Sequence, residues 1–312
     1  MSHPSHRKNY FRQGVLPILV AAALWAVGYY LRKSLLKSVP PLVLIFLIST
    51  IVAVFIFLVY RLDAKHLWDR FKAHKYKLIG LSLSGAFVGS TLMLIGLDHL
   101  DLGVATLLEK LQPLFTLGMA AVFLNEKLAW KLVPYGVLAV IASYFISVPH
   151  PFDGEILKAD FVGIAAIAGA AFCWGISSVL GRFLVKAKVF SAELAFMRFA
   201  VAAVVALPCM FLVQGPALSL HFTPTAWLMI FVAAMGCTGY GYVLYYNGLK
   251  WVDAPTAGFL ELVTPAVSLF LGIVFLQERL SLSQWMAVPV MLFSVYRITA
   301  ARPAPPPVKE TS

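Results

Sequence analysis

Long apolar segments recur along almost the whole chain, and they restrict its fold more than any other feature. A helix of about 20 mostly apolar residues spans a bilayer, because the helix satisfies its own backbone polar groups. Only 12% of the residues are charged, whereas a soluble domain has about 25%. The sequence therefore predicts an all-α integral membrane protein with ten transmembrane helices, at 14–32, 40–60, 76–97, 102–124, 130–148, 159–181, 190–213, 224–247, 254–276 and 282–299.

The second half of the chain repeats the first. Residues 96–128, shifted by 152 positions, overlay 248–280 with 13 identities in 33 positions, and Trp25 matches Trp174 at a shift of 149. The repeat unit contains five helices, so the second copy must enter the membrane from the opposite side. Such inverted-topology repeats build transporters whose substrate site lies near the midplane, between the repeats. We therefore expect two five-helix inverted repeats around a central cavity.

Charge indicates how the chain is oriented. The net charge is +11. With the N terminus inside, most lysines and arginines outside the helices fall in cytoplasmic segments, as the positive-inside rule requires. The basic surface is therefore a topology signal that favours the lipid bilayer as partner, with no nucleic acid. We expect a cytoplasmic segment at 1–13, the first repeat at 14–148, the second at 159–300 and a disordered cytoplasmic tail at 301–312.

Each copy of the repeat carries a glutamate four residues before a proline, inside an apolar segment. The pairs are Glu109 with Pro113 and Glu261 with Pro265. Proline cannot donate to the carbonyl four residues back, so it frees the carbonyl of the glutamate itself and marks a candidate hinge. Intramembrane acids are costly, which favours a role in the substrate path. The alternative is an acid that only holds helices together. Lys110 adjoins the first glutamate, so the second is the better candidate for contacting substrate or a proton.

The repeated segments "LE…P…LNEKL" and "LE…P…LQERL" resemble the drug/metabolite transporter (DMT) superfamily, EamA type. Within it, the chain most resembles bacterial YddG-like exporters of aromatic amino acids. The resemblance implies a location in the inner membrane and a central path lined by helices 1–4 and 6–9. Members often carry an arginine in helices 2 and 7; here Arg198 is present but its counterpart is Ser49. Glu126 and Glu278 are expected at helix ends, near water.

Aromatic and polar residues within the helices define the candidate substrate path. Aromatic walls with a few polar groups suit small amphipathic ligands, although tyrosine is also enriched at membrane interfaces. Arginine keeps its charge, so Arg198 can bind a carboxylate, either the substrate's or a protein acid's. We expect a structural ion pair, or a side chain that reaches out to the interface. The candidate path residues are Trp25, Tyr29, Ser90, Glu109, Gln112, Trp174, Tyr242, Tyr246, Asn247, Glu261 and Thr264.

These features favour a secondary transporter that exports aromatic and other neutral amino acids by alternating access. One alternative is export of drug-like cations, which suit an aromatic cavity with acids, or of another small metabolite. From another class, a membrane enzyme or a non-transporting scaffold stays open. The sequence shows no metal, phosphate-loop or nucleophile motif, so we expect no enzyme activity, catalytic residue, metal or cofactor. Proton coupling and facilitated transport both stay open, and a monomer is the expected state.

Overall fold

The computed structural model describes residues 10–123, 131, 133–147, 160–187, 189–215, 221–248, 251 and 260–300. The expectations for Glu126 and the tail at 301–312, and for most of the segment at 1–13, lie outside these residues. Helices dominate the described part, which contains no strand. The expected all-α class is therefore confirmed.

Several of the helices consist of consecutive helical pieces. We label them α1 (Leu16–Leu35), α2 (Pro41–Val59), α3 (Ala64–Ser82, Leu83–Val88 and Gly89–His99), α4 (Leu102–Leu108, Glu109–Leu111 and Gln112–Phe123), α5 (Val133–Ser147), α6 (Phe161–Lys186), α7 (Ser191–Gln214), α8 (Pro224–Phe231, Val232–Tyr240 and Gly241–Gly248), α9 (Val263–Phe275) and α10 (Leu282–Ala300). A wide helical turn, Phe11–Val15, precedes α1.

Within the described ranges, six helices are long and apolar enough to cross a membrane. They are Phe11–Leu35, Pro41–Val59, Ala64–His99, Phe161–Gly181, Ser191–Gln214 and Pro224–Tyr245, and two shorter apolar helices cover Val133–Ile146 and Val263–Phe275. Large apolar side chains also cover the outer surface; Leu212, for example, is 83% exposed. Such a surface suits lipid rather than water.

Helix α3 begins well before the span predicted at 76–97. Its first turn starts at Ala64, where the Asp63 carboxylate accepts a hydrogen bond from the Lys65 N–H at 3.0 Å. This N-cap satisfies a donor that has no partner within the helix. Non-helical backbone at His74 then separates this polar segment from the apolar span. Hydropathy therefore located the span, whereas the helix itself extends beyond it.

The helices of the two halves pack against each other in a reciprocal pattern. Helix α1 contacts α8 and α9, and α6 contacts α3 and α4. Helix α2 packs on α7, α4 on α9, and α5 on α10. The core is thus built between the halves, and not within each half alone.

Glycines allow two of these contacts to be close. Gly96 of α3 lies against the Ile167 side chain of α6, which a Cβ at this position would overlap. Gly248 of α8 lies against Ile18 of α1, where a Cβ would be 2.5 Å from Ile18 Cγ1 and 2.9 Å from the Gly14 carbonyl oxygen. Small residues permit helices to approach closely in lipid. The two contacts join residues that are equivalent in the repeat.

The loop after α9 holds the start of α4. Glu278 Oε1 accepts the Leu102 N–H at 2.6 Å, and Oε2 accepts the Gly103 N–H at 3.3 Å. Lys33 Nζ lies 3.9 Å from Glu278 Oε1 and donates to the Leu97 carbonyl at 2.9 Å. An acid at a helix N-terminus satisfies otherwise unpaired donors and complements the helix dipole. Glu278 is therefore a helix cap that joins the two halves.

Replacing Glu278 with alanine is expected to lower the free energy of unfolding by about 1–2 kcal/mol, because two buried N–H groups lose their acceptor. Thermal unfolding in detergent measures this cost. Arg279→Ala changes an exposed neighbour and should leave the melting temperature almost unchanged. Equal melting of Glu278→Ala and Arg279→Ala would show that the cap contributes nothing.

Candidate functional site

The two Glu–Pro motifs adopt the same local backbone arrangement. The Glu109 carbonyl accepts the N–H of Gln112, and the Glu261 carbonyl accepts the N–H of Thr264 at 3.0 Å. Each bond spans three residues, as in a 3₁₀ turn. The carbonyl that each proline leaves without its usual partner is thus satisfied by a tighter turn.

Both prolines lie at the start of a new helical piece. Pro113 is the second residue of Gln112–Phe123, and Pro265 is the third residue of Val263–Phe275. The first turn of a helix tolerates proline, because its N–H groups have no partner within the helix. The chain therefore places a joint beside each glutamate, and hinge motion at these joints stays a prediction.

Glu109 lies deep between the helices. Its residue is 7% exposed, and Lys110 Nζ lies 3.5 Å from Glu109 Oε1. The Tyr29 hydroxyl lies beside the carboxyl group, and Glu261 is close enough to interact with it electrostatically. The second carboxyl oxygen of Glu109, Oε2, is buried and has no hydrogen-bond partner among the described residues. The acids of the two repeats are therefore within electrostatic range of each other, and Glu109 has one oxygen without a partner among the described residues.

Glu261 lies next to an aromatic cluster formed by α1 and α8. The Tyr245 hydroxyl donates to Glu261 Oε1 at 2.5 Å. The Trp25 ring packs on Tyr245, with ring centroids 5.1 Å apart, and on Tyr242, at 5.4 Å. Trp25 Nε1 is buried, and the described part of the chain offers it no acceptor. This corner thus combines an acid, an unpaired indole donor and apolar ring faces.

Trp174 occupies the equivalent corner but is fully bonded. Its Nε1 donates to the Gly85 carbonyl at 2.8 Å, which the Ser90 hydroxyl also reaches at 3.2 Å. Gln112 Nε2 donates to the Ser178 hydroxyl at 3.2 Å. Trp174 and Gln112 thus bond to neighbouring helices, whereas Ser90 bonds within α3. The site is therefore asymmetric, with the open polar groups on the side of Trp25 and Glu109.

Arg198 has aromatic rather than acidic neighbours. Its guanidinium lies 5.2 Å from the Tyr242 ring centroid and 5.9 Å from that of Phe199. Across the described ranges, no carboxylate comes within 4.0 Å of it. The ion pair expected from the sequence is therefore not formed with any described acid.

The remaining predicted residues have different surroundings. The Thr264 hydroxyl donates to the Ala22 carbonyl at 3.1 Å and is buried. Asn247 is exposed near the end of α8, and the side chain of Tyr246 lies outside the described residues. No group of three or more His, Cys, Asp or Glu residues suited to a metal ion occurs in the described part.

Two further residues belong to the site but were not among the predicted path residues. Tyr245 is three residues after Tyr242, a spacing that places both on one helix face, and this signal could have found it. Arg32 donates to the Thr238 hydroxyl at 2.5 Å and lies 5.6 Å from the Tyr29 ring centroid. Its position at the end of α1 gave no indication of these partners.

Known proteins similar to this chain are transporters. It is 25% identical over 296 residues to "Riboflavin transporter ImpX" of Fusobacterium nucleatum, covering 92% of this chain and 97% of that protein. It is 23% identical over 299 residues to "Probable amino-acid metabolite efflux pump" of Escherichia coli, covering 91% and 94%. An "S-adenosylmethionine uptake transporter" of Rickettsia prowazekii is 27% identical over 218 residues, covering 67% and 68%.

A solved structure has a similar fold, with a TM-score of 0.63 at 20% sequence identity, and covers 93% of this chain and 98% of that chain. The sequence model of the EamA-like transporter family matches residues 12–148 and again 161–300. Two matches that together cover most of the chain decide its membership. The chain belongs to the EamA-like transporter family.

Proposed function

We propose that this protein is a secondary transporter that exports aromatic and other neutral amino acids across the bacterial inner membrane. The observation that carries the proposal is a pair of buried polar atoms, Glu109 Oε2 and Trp25 Nε1, that have no hydrogen-bond partner among the described residues and lie beside an aromatic cluster and a second acid. Buried polar groups without partners are costly. A transported ligand that pairs with them offsets this cost, because it supplies the missing hydrogen bonds.

The chemistry of the corner suits an aromatic molecule that carries an ammonium group. Glu261 and Glu109 provide carboxylate acceptors, and Lys110 neutralises one of them. Glu261 has no cationic side chain within 4.0 Å in the described part of the chain, so its charge is available to a monovalent cation. The faces of Trp25 and Tyr242 provide apolar area and attract cations. A carboxylate that binds an ammonium also binds a proton, so a proton-coupled cycle and simple exchange both fit.

The transport cycle that we propose uses two inverted five-helix repeats, at 14–148 and 159–300, around the central site. Two matches to the family model, at 12–148 and 161–300, support this division. The reciprocal contacts support it as well, because the contact of Gly96 with Ile167 has its counterpart in that of Gly248 with Ile18. Gly248 follows Gly96 by 152 positions and Ile167 follows Ile18 by 149, which are the two shifts of the sequence repeat. Tilting at the two Glu–Pro joints would open the site to one side and then to the other, with both termini cytoplasmic.

The proposal is tested by counterflow with purified protein in liposomes loaded with unlabelled amino acid. We expect labelled tyrosine or phenylalanine to accumulate transiently, and unlabelled neutral amino acids to compete. Riboflavin and a quaternary ammonium dye serve as the alternative substrates. The relative named a riboflavin transporter favours a planar ring compound as the second candidate. Counterflow of labelled riboflavin in riboflavin-loaded liposomes, with no uptake of labelled amino acid, would contradict amino acid export and favour that candidate.

A further inference from the structure

Arg198 is a partly buried cation that has no carboxylate within 4.0 Å among the described residues. It lies in α7, and its guanidinium contacts the Tyr242 ring of α8 and approaches Gly85 of α3. A Cβ at Gly85 would be 2.7 Å from Arg198 Nη2, so the absence of a side chain there gives the guanidinium its space. Three helices thus hold this group between the two halves.

The acid on the same helix does not neutralise Arg198. Glu193 of α7 pairs instead with His66, at 3.3 Å, and with Arg70, at 4.0 Å. Arg198 Nε is buried and finds no acceptor in the described part of the chain. The aromatic rings beside it attract a cation but do not replace a hydrogen-bonded anion. Arginine cannot shed its proton, and an unpaired charge within the membrane is costly.

The cation borders the aromatic cluster of the proposed site. The Tyr242 ring contacts both the Arg198 guanidinium, at 5.2 Å, and the Trp25 ring, at 5.4 Å. Trp25 in turn packs on Tyr245, which binds Glu261. One continuous aromatic wall therefore connects an unpaired cation to the acids. Opposite charges along an apolar wall are complementary to a zwitterion that contains a ring.

We propose that Arg198 binds the anionic group of the transported molecule, so that the preferred substrates carry a carboxylate as well as an ammonium. This inference rests on the proposed function and makes it more specific. The planar guanidinium fork matches carboxylate geometry, which a lysine does not. Amines that lack a carboxylate should therefore be poor substrates, although they fit the acids and the rings.

The test uses three probes that differ in one group each: tyrosine, tyramine without the carboxylate, and 3-(4-hydroxyphenyl)propionate without the ammonium. In wild-type protein we expect tyramine to compete with labelled tyrosine at least about 10-fold more weakly than tyrosine does, the loss of one charge-assisted pair. In Arg198→Met this preference should fall to within about twofold. Arg70→Met, at a cytoplasmic position, should keep the wild-type preference, and Arg198→Lys should lie between.

Binding measured without transport separates this inference from the export proposal. We expect 3-(4-hydroxyphenyl)propionate to raise the melting temperature of wild-type protein and of Arg70→Met, but not that of Arg198→Met. This result would support the anion site even if wild-type liposomes took up no tyrosine, which would contradict only the export proposal. If Arg198→Met does not fold, a weakened shift in Arg198→Lys provides the same support.

Three results would overturn the inference. An equal loss of tyrosine and tyramine competition in Arg198→Met would show a structural role alone, and an unchanged melting shift in that variant would show that the anion binds elsewhere. The third result concerns the phosphate of a lipid headgroup, which an arginine can bind in the same way as a carboxylate. If Arg198→Met differs from wild type only in vesicles that contain phosphatidylglycerol, the lipid headgroup is the ligand and the substrate is not. We expect the same substrate preference in neutral and anionic vesicles.

Discussion

Replacing Glu261 with glutamine is expected to reduce tyrosine counterflow by about 10- to 100-fold while the protein still folds. The change keeps the shape of the side chain but removes the charge that pairs with an ammonium, and a hydrogen bond to a charged group contributes about 1.5–3 kcal/mol. Glu261 has no adjacent lysine, whereas Glu109 has Lys110 at 3.5 Å. The loss should therefore exceed that in Glu109→Gln.

Tyr245→Phe is the matched control for Glu261→Gln. It removes the hydroxyl that donates to Glu261 Oε1 at 2.5 Å but keeps the ring and the carboxylate. We expect it to reduce counterflow only a few-fold, since the net value of one hydrogen bond is about 1 kcal/mol. Normal transport by a folded Glu261→Gln and Glu109→Gln double variant would remove both acids from the mechanism. The chain would then remain a transporter whose site lies elsewhere.

Valine at Gly96 or at Gly248 is expected to destabilise the protein by at least about 1–3 kcal/mol, the usual cost of overpacking a well-packed contact. At Gly96 the new atoms overlap the Ile167 side chain, and at Gly248 they also meet the Gly14 carbonyl, which is backbone and cannot turn away. We therefore expect the Gly248 variant to be the less stable of the two. Thermal unfolding in one detergent allows the comparison.

Gly236→Ala provides the control for these substitutions. A Cβ at Gly236 of α8 meets no atom within 4 Å, so alanine should be neutral or slightly stabilising through its better helix propensity. Losses of similar size at Gly96 and Gly248, with none at Gly236, would support equivalent packing in the two halves. If valine were tolerated at Gly248 but not at Gly96, the proposed reciprocity would fail.

Local sequence predicted those parts of the site that depend on one helix at a time. The Glu–Pro spacing indicated a freed carbonyl beside each acid, and the structure adds that Gln112 and Thr264 donate to it. Hydropathy located the six helices of the described residues that are long and apolar enough to span a membrane, since burial in lipid requires apolar residues whatever their neighbours are. Hydropathy missed the start of α3, because residues 64–73 are polar. The features that mark this segment are the Asp63 cap before it and the kink at His74 after it.

Partners from distant segments could not be predicted in the same way. The bond from Tyr245 to Glu261 joins α8 to the residues before α9, and the cap of Glu278 on Leu102 joins positions 176 residues apart. These pairs depend on which helix faces which, and a single sequence does not encode that in any local spacing. Arg198 is the clearest case: an intramembrane arginine predicts an acid partner, and the structure gives it rings.

A structure of the protein with bound tyrosine tests the central claim most directly. The account predicts density for the ring against Trp25 and Tyr242, and for the ammonium within about 3 Å of Glu261 or Glu109, the length of a charge-assisted hydrogen bond. A substrate found instead in the apolar groove between α3 and α6, lined by Leu92 and Phe161, with the aromatic cluster empty, would contradict it.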